Sequence, residues 1–175
     1  MVINISEIIS TTGKSEQYTV PLEMEQVSMN GILCTFASKQ PVELIVTNTG
    51  NREVLVEGHV EAILNIPCDR CLVDVPTEFK LDIRKDVDFK SSDAERVEAL
   101  DETSYIDHSQ LDVELLVYNE ILIHFPMKTL CRSDCKGLCF KCGHNLNEGE
   151  CGCNRESLDP RMAAFQDIFN SFKEV

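Results

Sequence analysis

The chain has 175 residues, 43% of them hydrophobic, with 30 acids against 16 bases and a formal net charge of −14. That is enough for one domain with an appendage, or two small ones, and enough to bury a core without cross-links. The charge repels phosphate and disfavours unaided nucleic-acid binding; no apolar run reaches membrane-spanning length and the N-terminus lacks a basic–apolar leader, so a soluble, cytoplasmic, reducing setting is expected.

Val2–Ile5 is a short apolar start, and Glu16–Met24 alternates loosely enough to form a strand. Val42–Thr47 is rich in β-branched residues, Asn48–Asn51 is a turn cluster, and Glu53–Ile66 runs as a long strand, so the three predict a β-hairpin. Pro67 stops the ladder and Cys68–Cys71 forms a knuckle; Val73–Phe79 and Leu81–Phe89 then continue the sheet. Short turns without crossover helices predict a curved, purely antiparallel sheet over residues 16–89. An acidic, irregular span follows from Lys90 to Asp107.

Leu111–Phe125 is expected to be helical, with Asp112 as its cap, Pro126 as its end and His124 complementing the helix dipole. Val113, Leu116, Val117, Ile121, Leu122 and Phe125 form a wide apolar stripe. After a cysteine-rich stretch, Asp159-Pro160 starts a last helix reaching Phe172, with Asp as N-cap and Pro at the first position. The expected class is therefore α+β: a mainly antiparallel β domain at 1–126, then a metal module with a C-terminal helix at 127–175.

Six of the nine cysteines fall between Cys131 and Cys153. Thiolates at such short separations converge on one soft cation, and zinc takes four in a closed tetrahedral site. Cys139-x-x-Cys142 and Cys151-x-Cys153 form a zinc-ribbon-like unit and are the first-choice ligands, with Gly143 placed where a knuckle needs positive φ. Cys68, Cys71, Cys131 and Cys135 make a second set. A scheme joining Cys68/Cys71 to Cys139/Cys142 is equally admissible on spacing, so one or two zinc ions are expected. Disulfides are the competing reading, disfavoured by the reducing compartment. Cys34, the odd one, is expected to be a buried small hydrophobe.

Other signatures fail on context. A redox reading of Cys68-x-x-Cys71 wants the pair at a helix N-terminus, and here its neighbours are strands. His59-Val60-Glu61 with Cys68-x-x-Cys71 has the letters of a zinc deaminase, but both pieces share one strand and its exit. Thr12-Gly13-Lys14-Ser15 lacks the first glycine of a phosphate loop, Ile8 standing there. Nothing assembles a nucleophile, a base and an oxyanion donor, so no enzyme is expected.

Residues 86–120 hold eleven acids (Asp86, Asp88, Asp93, Glu95, Glu98, Asp101, Glu102, Asp107, Asp112, Glu114, Glu120) and two bases, Lys90 and Arg96. Such a stretch is either a solvated face or a contact for a basic partner, with Asp93, Glu95, Glu98, Asp101 and Glu102 as candidate contacts. The bases Arg70, Lys128, Arg132, Lys136 and Lys141 are the candidate phosphate contacts if RNA is bound directly.

Several pieces together resemble the YceD family, the large ribosomal RNA subunit accumulation proteins of bacteria with relatives in plastids. They are Pro67-Cys68-Asp69-Arg70-Cys71-Leu72, Phe125-Pro126-Met127-Lys128-Thr129-Leu130-Cys131, Cys135-Lys136-Gly137-Leu138-Cys139 through Cys142-Gly143 to Asn145-Leu146-Asn147, and Asp159-Pro160-Arg161. The cysteine-rich tail resembles the Gram-positive branch. The resemblance implies a non-catalytic role in large-subunit rRNA accumulation. A basic large-subunit ribosomal protein or a pre-ribosomal particle is the expected partner, direct rRNA contact the alternative, and a thiol redox protein a lesser one.

Overall fold

The computed structural model describes residues 1–29, 31–89 and 104–153. The chain opens with β1 (Val2–Asn4) and the short helix α1 (Ser6–Ser10). Six strands build the main sheet: β2 (Ser15–Val20), β3 (Gln26–Met29), β4 (Ile32–Lys39), β5 (Val42–Gly50), β6 (Glu53–Pro67) and β7 (Asp74–Asp88). Their order is β2-β5-β6-β4-β3, with β7 also paired to β6, and every pairing is antiparallel, as expected.

The 15-residue strand β6 is the spine. Its first half pairs with β5 (Glu43↔His59 to Gly50↔Glu53), its second half with β4 (Thr35↔Asn65 to Lys39↔Ala62), and β7 follows it from Glu53↔Asp88 to Pro67↔Asp74. Register shifts at Phe36/Ser38 and Asn48/Gly50 add local twist, which helps the sheet curl. Alternation sets the faces. Val54, Val56, Val60, Leu64 and Ile66 of β6 are buried with Phe79, Leu81, Ile83 and Val87 of β7, while Glu61, Glu78, Asp82 and Arg84 face outward.

A second, three-stranded sheet runs β1–β9–β8, with β8 at Ile106–Asp107 and β9 at Gln110–Asp112. The helix α2 (Val113–Ile123) follows directly. Asp112 caps it as expected, its carboxylate accepting from the Glu114 and Leu115 amides. Val113, Leu116, Val117 and Ile121 bury their side chains in the core shared with the main sheet. Lys85 on β7 places its ammonium 2.6 Å from Oε1 of Glu120, whose side chain is 5% exposed. The opening segment is tied in by Asn48, whose amide donates to the Ile8 and Ile9 carbonyls at 2.7 and 3.0 Å.

Several boundaries differ from the sequence reading. Val73–Phe79 and Leu81–Phe89 are one strand, because Val75, Thr77, Phe79, Leu81, Ile83 and Val87 keep a single parity across the outward-facing Lys80. The strand expected over Glu16–Met24 ends at Val20, before Pro21. The next residues are held instead by Glu114, whose Oε1 accepts from the Glu23 and Met24 amides, each at 2.8 Å. Leu111 belongs to β9 rather than to the helix, and α1, β3 and β4 had no strong periodic signal. Cys34 is fully buried, as expected. The acidic stretch from Asp93 to Glu102 and the helix expected over 159–172 lie outside the described residues.

Candidate metal centres

The β6–β7 hairpin ends in a knuckle. Pro67 closes β6, and the Cys68 amide donates to the Val73 carbonyl at 2.9 Å, sealing the loop. The Leu72 amide turns back to the Cys68 carbonyl at 2.9 Å, with Leu72 at φ 60°. The same device recurs downstream: the Gly143 amide reaches the Cys139 carbonyl at 2.8 Å, with Gly143 at φ 73°. A glycine takes that conformation at no steric cost. Leu72 takes it against its side chain.

Each knuckle presents two sulfurs, and the tail supplies two more to each. Cys68, Cys71, Cys131 and Cys135 form one tetrad, and Cys139, Cys142, Cys151 and Cys153 the other, with all sulfurs of a set within 4.8 Å of one another. Cys68 and Cys135 are 3.9 Å apart and Cys71 and Cys131 3.5 Å. A zinc tetrahedron with 2.3 Å bonds has sulfur–sulfur edges of about 3.8 Å, so both groups fit such an ion in donor type, number and spacing. All nine cysteines are free thiols. The sulfurs thus gather by the first of the two spacing schemes, and the Cys68/Cys71 pair does not meet Cys139/Cys142.

The protonation pattern has a local cause. Burial raises the Cys68 pKa, but the amides of Arg70, Cys131 and Cys71 outweigh it and draw the thiol down to about 6. The amides of Cys142 and Lys141 do the same at Cys139, against its burial, also to about 6. At Cys135 burial is outweighed by the Asn147 side-chain amide and the Gly137 amide, and the thiol is again lowered. Their neighbours go the other way. A hydrogen bond with Cys71, followed by burial, pushes Cys131 up to about 12; hydrogen bonds with Cys142 and Cys151 push Cys153 up to about 12. In each cluster, then, backbone amides draw some thiols down while neighbouring sulfurs push others up. A divalent cation held by such a set would take the place of its thiol protons.

The first tetrad fastens the tail to the sheet, and the residues between its cysteines do the fastening. The Asp69 amide donates to the Thr129 carbonyl at 2.9 Å, and the Thr129 amide donates to Asp69 Oδ2 at 2.7 Å. The Arg70 guanidinium donates to the Cys135 carbonyl at 2.7 Å, and the Arg70 carbonyl accepts from Leu138 at 3.1 Å. Gly137 must be glycine here: it has φ 77°, and a Cβ would sit 2.9 Å from the Arg70 carbonyl oxygen. Asn147 donates to Cys135 Sγ at 3.3 Å and accepts from the Lys136 amide at 2.8 Å. The ring closes through Leu146 N to Gly137 O at 2.9 Å and Cys139 N to His144 O at 2.8 Å.

Asp69, Thr129, Gly137 and Asn147 stand in the motif pieces of the sequence, but the sequence reading assigned them no role. The polar pair inside Cys68-Asp-Arg-Cys71 was the available signal, but its partners lie about 60 residues downstream. The candidate phosphate contacts are divided. Arg70 spends its guanidinium on Cys135, and Arg132 lies 3.7 Å from Asp134. Lys128, Lys136 and Lys141 are exposed. No helix among the described residues is long and apolar enough to cross a membrane.

Comparison with known proteins finds a match over residues 56–169 to the family described as "Large ribosomal RNA subunit accumulation protein YceD". An uncharacterised protein of Mycobacterium leprae is 26% identical over 152 residues, covering 87% of this chain and 69% of the relative. An uncharacterised protein of Mycobacterium bovis is 31% identical over 115 residues, 66% of this chain and 55% of that protein. A chloroplast protein of Arabidopsis thaliana, named large ribosomal RNA subunit accumulation protein YCED homolog 1, is 36% identical over 50 residues, 29% of this chain and 16% of its own length. No solved structure matches.

Proposed function

The chain belongs to the YceD family, and from that premise we propose that it is a non-catalytic assembly factor supporting accumulation of large-subunit ribosomal RNA. It acts by binding a basic ribosomal protein or a pre-ribosomal particle, and it carries two structural zinc ions. Cys68, Cys71, Cys131 and Cys135 hold one ion; Cys139, Cys142, Cys151 and Cys153 hold the other. Four protein sulfurs leave no coordination position for a substrate or water, which favours a structural over a catalytic metal.

The observation that carries the choice of partner is charge. The chain stands at −14 before any thiolate is counted. Each four-thiolate zinc site adds two more negative charges, because four thiolates outweigh one dication. The outward face of β5–β7 continues the theme with Glu43, Glu61, Glu78, Asp82 and Asp86, all exposed, against the bases Lys80 and Arg84. Asp93, Glu95, Glu98, Asp101 and Glu102 extend it in sequence. Such a surface speeds encounter with a basic protein and rejects bare phosphate.

The alternative, direct rRNA binding, has in its favour the exposure of Lys128, Lys136 and Lys141 on the metal module. Capture of partners from growing cells, with and without RNase, separates the two. A basic ribosomal protein that stays bound after RNase supports the proposed reading. Partners lost with the RNA, and affinity falling steeply with salt for naked rRNA, would replace it with the alternative.

A further inference from the structure

The two tetrads differ in enclosure. Cys68, Cys71 and Cys135 are 0%, 4% and 2% exposed, leaving Cys131 as the exposed sulfur of the first. In the second, Cys139 is 2% exposed, but Cys142 is open and Cys151 and Cys153 are half-buried. They also differ in what holds them. The first is anchored in the 15-residue strands β6 and β7 through Cys68 and Cys71. The second is hung on the first. Leu138, next to Cys139, donates to the Arg70 carbonyl; the turn leading towards Cys151 is tied back by Leu146 to Gly137 and by Asn147 to Cys135 Sγ.

From this asymmetry we infer a hierarchical pair of metal sites: a retained ion at Cys68/Cys71/Cys131/Cys135, and an exchangeable one at Cys139/Cys142/Cys151/Cys153 whose affinity depends on the first being filled. The coupling is reciprocal, but only the first knuckle is also held by the β6–β7 ladder, so the first ion stays bound when the second leaves. The tip of the module therefore folds and unfolds with zinc supply while the sheet and the first site persist. This rests on the zinc reading above.

The test follows zinc transfer from the full-length, zinc-loaded protein to the chromogenic chelator pyridylazoresorcinol, with total metal measured beforehand. One equivalent should leave fast and the other at least about tenfold more slowly, since the second site offers a chelator one exposed and two half-buried sulfurs and the first only Cys131. Cys153→Ser should abolish the fast phase and preserve the slow one. Cys135→Ser should remove the slow phase and accelerate release of whatever remains. Asn147→Ala deletes no ligand, so it guards against simple misfolding. It should weaken cobalt(II) binding about tenfold at the second site, whose loop Asn147 ties down, and also lower affinity at the first, whose Cys135 Sγ Asn147 hydrogen-bonds, read from the thiolate charge-transfer band with far-ultraviolet dichroism unchanged. Two equivalents leaving at one rate, or Cys135→Ser retaining its remaining zinc with wild-type affinity, would overturn the hierarchy alone. Less than about half an equivalent at the outset would overturn the zinc reading and the hierarchy together.

Discussion

Arg70, Asp69, Gly137 and Asn147 are not metal donors, yet the geometry of both cysteine clusters runs through them. Gly137→Ala makes the point most directly. The new methyl meets the Arg70 carbonyl oxygen at 2.9 Å in a backbone region that L side chains disfavour. The variant is expected to keep the dichroism of the sheet but to lose about tenfold in metal affinity, measured by cobalt(II) titration. Glu114 is the comparable residue in the body. Burial raises its pKa, but the Met24 and Glu23 amides outweigh that and hold its carboxyl below the ordinary 4.5. Its contribution to stability is therefore fully present above about pH 4.5 and is lost as the pH falls through the lower folded-state value. Glu114→Gln should cost about 1–2 kcal/mol at neutral pH and flatten the acid limb of stability in denaturant melts at stepped pH.

Among the elements, α2 and the β6–β7 hairpin carry the body. The helix buries Leu116, Val117 and Ile121 against the sheet, and Leu116→Ala should cost about 2–5 kcal/mol, seen as a lower denaturation midpoint. The same interface contains the Lys85–Glu120 pair, with side chains 31% and 5% exposed. Replacing Lys85 by Met keeps the length of the side chain and leaves a buried carboxylate without its counter-charge. That should destabilise the protein by about 3 kcal/mol, and adding Glu120→Gln should recover a large part of it. Recovery of nothing would show that Lys85 matters for packing rather than for charge. The hairpin has a second role, since its turn supplies two of the four sulfurs of a cysteine tetrad. Shortening the loop between Pro67 and Asp74 would therefore detach the tail while leaving the ladder.

At the scale of the whole molecule, an acidic curled sheet meets a tail at two clusters of four cysteines. Removing metal with a chelator should leave the sheet folded, because its core contains none of the eight clustered cysteines, while residues 127–153 lose protection from proteolysis. Replacing Asp93, Glu95, Glu98, Asp101 and Glu102 with Asn or Gln tests the partner surface. Association with the captured basic partner should slow and lose salt dependence, with thermal stability nearly unchanged. Unchanged partners and normal ribosome profiles would reduce that stretch to a solvated surface.

Much of this protein was legible in the chain itself. The apolar run of Glu53–Ile66 wrote the long central strand, the Asp112 cap and the apolar stripe wrote the helix, and pairs of cysteines one to three residues apart announced soft-metal sites. These are local signals, carried by periodicity and close spacing. The unread parts depended on distance. Whether Cys68/Cys71 meets Cys131/Cys135 or Cys139/Cys142 is a question of where the tail crosses the hairpin tip, and spacing permits either. Only the clamp of Asp69 on Thr129, Arg70 on Cys135 and Gly137 beneath the Arg70 carbonyl decides it. The short strands β3, β8 and β9 likewise have too few residues to show a period, and they exist because neighbouring strands offer them a ladder.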